Sequence, residues 1–381
     1  MSELRDLSAA VHLGSAKRIV VKIGSALLCA NNGSVRKRWL ASLANDIAVF
    51  RKKGCDVIAV SSGAVALGRI RLKLGHKLRL EEKQAASAAG QTILVEAWQE
   101  AFKPHAVNVA QLLLTLDDTE NRRRYLNARA TFQTLLELGA LPLVNENDTV
   151  ATSEIRYGDN DRLAAHTAQL SQSDVVVILS DIDGLYTSDP RDSLHARFIP
   201  VVNTITSEIE RAAGGVNKGA GVGSGGMASK IAAAKLAGAN GCATIIARGV
   251  VCNPLKNILC GGRATLVRPS QTSENARRQW IGGRLKPAGV VQIDAGAVVA
   301  LKAGASLLPA GVKGVVGEFA RGDIIALVDE VGGVIAQGLS SYDANEVRSL
   351  AGQQSSEIER LLGYRRRPAV VEKDDLVLRV G

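Results

Sequence analysis

LPLVNENDTVATSEIRYGDNDRLAAHTA, residues 141–168, is the stretch on which the reading of this chain turns. Leu141 to Val144 is a short apolar run with strand character, and it breaks directly into Asn145, Glu146, Asn147 and Asp148. Amides and carboxylates packed so tightly behind a buried strand suit a pocket at the strand's carboxyl end, where open α/β sheets place their ligands. A hairpin-like segment, Thr149 to Tyr157, turns at Gly158 into Asp159-Asn160-Asp161, just ahead of a helix predicted from Arg162. Each polar cluster alone also reads as a turn, with Asn160 or Asp161 as a helix cap. Two clusters in one short segment favour a site. Their mixture of amides and carboxylates fits a ligand that carries both an ammonium and carboxylates, such as an acidic amino acid.

Outward from this stretch, strands alternate with helices of ten or more residues, which predicts βαβ units and a mainly parallel sheet. Arg18–Val21, Asp56–Val60, Val107–Leu114, Val175–Leu179 and Ala243–Ala247 read as strands, and VVVIL at 175–179 as one buried on both faces. Trp39–Lys53, Gln84–Ala101, Asn121–Leu138 and Met227–Leu236 read as helices. Lys22-Ile23-Gly24-Ser25 follows the first strand, and a Gly turn with a lysine can hold phosphate. Ser61-Ser62-Gly63-Ala64 follows the second, either as a close approach to a ligand or as a tight βα turn. Lys218–Lys230, KGAGVGSGGMASK, opens a helix and can cradle an anion on its backbone N–H groups. It is not a Rossmann fingerprint, because no Asp or Glu occurs between Met227 and Ser273. It is not a Walker A loop either, because the chain contains no Gly-Lys pair. A phosphate binder of another family and a flexible loop both remain open at this point.

Composition narrows the classes. The chain has 381 residues, enough for two or three domains, with 46% hydrophobic but only 3% aromatic residues, so the core is aliphatic. No apolar run approaches the ~20 residues of a membrane span. The first 17 residues lack an apolar signal segment and read as a loose tail. Five cysteines without CxxC spacing exclude a disulfide framework and a zinc ribbon, and fit a reducing, cytoplasmic setting. The net charge of +10 is uneven. Residues 287–381 hold ten basic and twelve acidic side chains, which leaves +12 on the first 286, where a polyanion such as a nucleoside triphosphate would bind. Residues 268–286 read as a linker, and beyond them Val290–Ile293, Val298–Leu301, Val315–Phe319, Ile324–Val328 and Val334–Gln337 read as the short strands of a small β-rich domain.

Taken in order, VVKIGSALL, AVSSGAVALG, QLLLT, RYLNAR, PLVNENDTVA, YGDNDRLAA, DIDGLYTSDPR and GSGGMASKIAAAKLA resemble the bacterial glutamate 5-kinases of the amino-acid kinase family, from about Arg18 to Leu266. Residues 287–381 resemble the PUA domain attached to many of these enzymes. The resemblance implies a three-layer α/β/α kinase domain over 18–267, ATP with Mg²⁺ as cosubstrate, and L-glutamate as acceptor. It further implies proline synthesis as the setting, proline as feedback inhibitor and a homo-oligomer, dimer or tetramer. Carried over by motif, Lys22 and Lys230 would bracket the transferred phosphoryl group and Asp161 would hold both lysines. Ser62, Gly63, Asn145, Asp148 and Asn160 would bind glutamate. Lys22, Gly24, Ser180, Asp181 and the run Ser224, Gly225, Gly226, Met227, Ala228, Ser229 and Lys230 would bind ATP. No metal ligand is assigned. Ser180, Ser224 and Ser229 stand where the family often has Thr, and each keeps the hydroxyl. Two rivals are weighed against this reading. Other amino-acid kinases share the lysines and Gly-rich loops but not the NENDTVA and YGDNDRLAA pair. An RNA-binding protein is suggested by a PUA-like domain, but the acidic balance of residues 287–381 argues against nucleic acid.

Overall fold

In the computed structural model the residues described are 8–30, 32–115, 117–150, 160–214, 226–272, 275, 287–364 and 367–379. The chain divides into two compact units, residues 1–120 with 127–273, and residues 121–126 with 274–381.

The first unit is built on a sheet of eight strands. Six of them, β1 (Arg18–Ile23), β2 (Asp56–Ser61), β3 (Val109–Leu114), β4 (Leu141–Glu146), β5 (Val175–Ser180) and β9 (Ala243–Arg248), run parallel in the order β3-β4-β2-β1-β5-β9. Between β5 and β9 in the chain lie the two-residue strands β6 (Leu185–Tyr186), β7 (Phe198–Ile199) and β8 (Val201–Val202). The strand β10 (Ala264–Val267) lies antiparallel to β9 and parallel to β8, which forms that edge of the sheet. Strands from the first part of the chain extend to one side of β1 and later strands to the other. The strand order therefore reverses beside β1, and the carboxyl ends of β1, β2 and β5 border the crevice where such sheets bind ligands.

The two-residue period of a strand decides what faces what. Ile19, Val21 and Ile23 of β1 pack with Leu40, Leu43 and Ile47 of the helix Lys37–Lys52 and with Trp98 and Phe102 of the helix Leu80–Phe102. Val20 and Lys22 alternate with them and turn to the opposite layer, where the helices Asn160–Ser171 and Met227–Ala239 lie side by side. Helices on both faces bury a parallel sheet completely, which gives the expected three layers. Residues 8–15 differ from the expected loose tail. Ser8 caps a helix, Ala9–Ser15, whose Ala9 and Leu13 enter the large core at helical i,i+4 spacing.

The second unit is a five-stranded sheet ordered β12-β11-β13-β14-β15, from β11 (Gly289–Ile293), β12 (Val312–Val316), β13 (Ile324–Val328), β14 (Val334–Leu339) and β15 (Leu376–Leu378). Only β11 and β13 run parallel. Its own core gathers Val291, Ile293, Leu327, Tyr342, Val347 and Val371. Val298–Leu301, expected as a strand, belongs instead to the helix Ala295–Lys302, because the Asp294 side chain accepts the N–H of Ala297 and starts a helix there. The strand expected at Val315–Phe319 lies earlier, at Val312–Val316, and Gly317 follows it at φ +90°.

Candidate active site

Lys22 sits on the penultimate residue of β1, and alternation turns its side chain towards the first turn of the helix Asn160–Ser171. Its Nζ lies 2.5 Å from Asp161 Oδ1. Lys230, in the first turn of the helix Met227–Ala239, approaches Asp161 Oδ2 at 3.7 Å, and the Ser229 hydroxyl donates to the same oxygen at 3.1 Å. Asp161 is only 1% exposed. Its role is thus an ion-paired centre between two lysines rather than a bare helix cap. Burial works against its ionisation, but Lys22, Lys230 and Ser229 outweigh it and hold its pKa below the ordinary carboxylate value. Burial lowers the pKa of Lys230, Lys22 pushes in the same direction, and Asp161 opposes both.

A second group gathers on the β2 and β4 side. Asn160, also buried, donates from Nδ2 to Ser62 Oγ at 2.6 Å and to Asn145 Oδ1 at 3.1 Å. Asn145 Oδ1 accepts the N–H of Glu146 as well, so it is an oxygen and Asn160 must present its NH₂ to it. Both amide hydrogens of Asn160 are then in use, and its buried Oδ1 has no hydrogen-bond partner among the described residues. Gly63 turns the chain at φ +120°, and a Cβ there would lie 3.0 Å from Cys29 Sγ, so both the turn and the space call for glycine. Asp148 follows β4, is 8% exposed, and accepts the Ser87 hydroxyl at 2.5 Å. Burial raises the pKa of Asp148 and the Ser87 hydrogen bond counters it.

The residues expected on the nucleotide side lie further along the same sheet end. Ser180 closes β5 and donates to Asp181 Oδ1 at 3.0 Å. Ser180, Asp181, Gly226, Met227, Lys230 and Arg248 line one cavity of about 1150 Å³. Gly24 follows β1 beside the Lys22 ammonium. Ala228 and Ser229 form the first helical turn with Met227. Ser224 and Gly225 lie outside the described residues, as do 151–159 and the rest of the Gly-rich loop from 218 to 225. The arrangement can do two things chemically. One half offers paired cations beside a polar cavity, which suits phosphate. The other offers a carboxylate, an unused amide oxygen and a hydroxyl, which suits an ammonium.

Residues 17–248 match the amino acid kinase family, and residues 289–362 match the PUA domain. The chain belongs to the amino acid kinase family. This amino acid kinase is 54% identical over 367 residues to the glutamate 5-kinase of Paramagnetospirillum magneticum, across 96% of this chain and 99% of that protein. It is 53% identical over 367 residues to glutamate 5-kinase 1 of Rhizobium meliloti, across 96% of this chain and 93% of that one. It is 54% identical over 366 residues to the glutamate 5-kinase of Caulobacter vibrioides, across 96% and 97%. Two site neighbours of this kinase escaped the sequence reading. Ser87 lies inside the small-residue run QAASAAG, which reads only as helix, and Arg248 ends β9 without a polar cluster to mark it.

Proposed function

We propose that this kinase transfers the γ-phosphoryl group of ATP to the side-chain carboxylate of L-glutamate, giving L-glutamyl 5-phosphate at the first step of proline biosynthesis. The observation that carries the reading is Asp161, buried between Lys22 and Lys230, next in sequence to an Asn160 that faces Ser62 and Asn145. Phosphate and acceptor groups are thereby held by adjacent residues of one helix turn. An ionised carboxylate is already a nucleophile, so the reaction needs no general base, and catalysis reduces to alignment and charge neutralisation. The γ-phosphoryl group and the attacking carboxylate repel each other. Lys22 and Lys230 offset that charge in a site where they are already oriented by Asp161. Ser180, Asp181 and the backbone of residues 226–230 would receive the nucleotide.

The acceptor is read from Asp148. Among the described residues it has no basic partner, only the Ser87 hydroxyl, so an incoming ammonium would complete it. UMP and acetylglutamate carry no ammonium and would leave it buried and unpaired. Magnesium would come with the triphosphate and neutralise part of its charge. Among the described residues no cluster of three His, Cys, Asp or Glu side chains forms a metal site. Such surroundings suit an ion held mainly by phosphates and water, with Asp181 as one of the carboxylates on the cavity wall, beside Asp183, Asp189 and Glu208. Proline as feedback inhibitor, a dimeric or tetrameric assembly and a cytoplasmic setting belong to the same proposal. All five cysteines are free, which suits a reducing compartment. The acidic balance of residues 287–381 supports no nucleic-acid partner.

An ADP-release assay with ATP, Mg²⁺ and each acceptor tests the reading. Glutamate should exceed N-acetylglutamate by ~10² or more in kcat/KM, since a lost charge-paired ammonium costs several kcal/mol in a buried site. It should also exceed aspartate, which keeps the ammonium but is one methylene too short to bring its side-chain carboxylate to the γ-phosphoryl group. Equal rates with N-acetylglutamate would overturn it.

A further inference from the structure

The helix Leu80–Phe102 contributes none of the residues assigned above, yet it supplies the one described hydrogen bond to Asp148. Ser87 is 1% exposed, and its hydroxyl sits 2.5 Å from Asp148 Oδ2. The helix that carries it cannot drift. Where it crosses the helix Ala64–Arg71, a Cβ on Gly90 would lie 1.8 Å from the Ala64 carbonyl oxygen and one on Gly68 1.7 Å from the Ala86 carbonyl oxygen. Backbone therefore rests on backbone on both sides of Ser87. The helix Ala64–Arg71 begins immediately after Ser62 and Gly63, so the crossing fixes Ser87 relative to that loop. One turn beyond Ser87, Gln91 accepts Gln111 Nε2 of β3 at 2.7 Å and ties the same face of the helix to the sheet edge.

We propose that Ser87 is a positioning residue for the acceptor: its hydroxyl fixes the Asp148 carboxylate so that the free oxygen receives the substrate ammonium. This rests on the assignment of Asp148 to that ammonium. A carboxylate in so enclosed a place has two lone-pair-bearing oxygens and several orientations. A donor on a rigid helix selects one of them and leaves Oδ1 for the ligand. The same hydrogen bond favours the ionised form. Burial raises the pKa of Asp148, Ser87 opposes the rise, and no charged side chain of the neighbouring elements contributes among the described residues. Removing the hydroxyl lifts the pKa further, and binding needs the carboxylate. The acid limb of kcat/KM for glutamate then moves to higher pH.

The test compares Ser87→Ala, Ser87→Thr and Asp148→Asn by ADP release from about pH 5 to 9, with melting followed by circular dichroism. Ser87→Ala is expected to raise KM for glutamate ~10-fold, the order expected for one hydrogen bond to a charged group. It should displace the acid limb upwards and leave kcat and KM for ATP within about twofold. Ser87→Thr keeps the hydroxyl and should return the limb to its original place. An acid limb unmoved in Ser87→Ala overturns the proposal, whatever KM does. So does a parallel loss of glutamate affinity, ATP affinity and melting temperature, which marks a packing role. Asp148→Asn separates the two layers of the argument. If it binds glutamate as the unmodified enzyme does, the assignment of Asp148 itself fails, irrespective of Ser87.

Discussion

Asp161→Asn keeps the shape of the side chain and removes its charge, and its consequences can be worked from the geometry. The carboxylate lies 2.5 Å from Lys22 Nζ and 3.7 Å from Lys230 Nζ, and all three side chains are less than 10% exposed. Removing one partner from a buried ion pair costs about 3–5 kcal/mol, because the remaining charge stays desolvated. With about 3 kcal/mol taken as the stability loss, a unit of this size should melt roughly 6–12 °C lower. The pH dependence has a fixed sign. Asp161 has a depressed pKa in the folded protein, so its contribution is present above the unfolded carboxylate pKa and is lost as pH falls through the folded one. The gap in melting temperature between the two proteins should therefore close in acid. In catalysis the amide still meets Ser229 but no longer holds the lysines, and kcat should fall by ~10² or more. Asp161 also supports the proton on Lys230 against burial. Without it the alkaline limb of kcat moves to lower pH. ADP release at saturating substrates, measured across pH, reads both effects. A folded Asp161→Asn enzyme with near-normal kcat and a raised KM would refute the reasoning and assign the residue to ground-state binding.

Gly68→Ala places a methyl 1.7 Å from the Ala86 carbonyl oxygen, so the two helices must part, with a loss of about 1–3 kcal/mol and a weaker grip on glutamate. Gly75→Ala, where nothing lies within 4 Å, is the control and should melt within about a degree or two of the original. A chain shortened to residues 1–278 should still phosphorylate glutamate at saturating ATP, glutamate and Mg²⁺, since the described site residues all lie before Ile231. A shortened chain that is folded by circular dichroism yet inactive would place part of the site in the β-rich unit.

The sequence made the sheet legible because its parallel strands are apolar on both faces, as in VVVIL at 175–179, and such runs stop abruptly in polar clusters at the ligand end. Lys22, Asp161 and Lys230 were legible as a set only through the order of motifs. Their meeting depends on two elements brought beside β1 from well over a hundred residues away. Periodicity failed where runs are short. Val298–Leu301 is apolar for four residues, which fits strand and helix alike, and the arbiter was Asp294, an N-cap lying just before the helix. The tail misled for a related reason, since only Ala9 and Leu13 of its helix reach the core. Ser87 is the more instructive case. Nothing in QAASAAG distinguishes a working hydroxyl from a helix-tolerant small residue, because its partner is 61 positions away and the close packing around it is made by glycines and alanines. The same smallness that hides the residue in sequence lets the helix approach Asp148 and the Ser62–Gly63 loop together. A bulkier and more legible side chain on that face would hold the helix away from the carboxylate it orients.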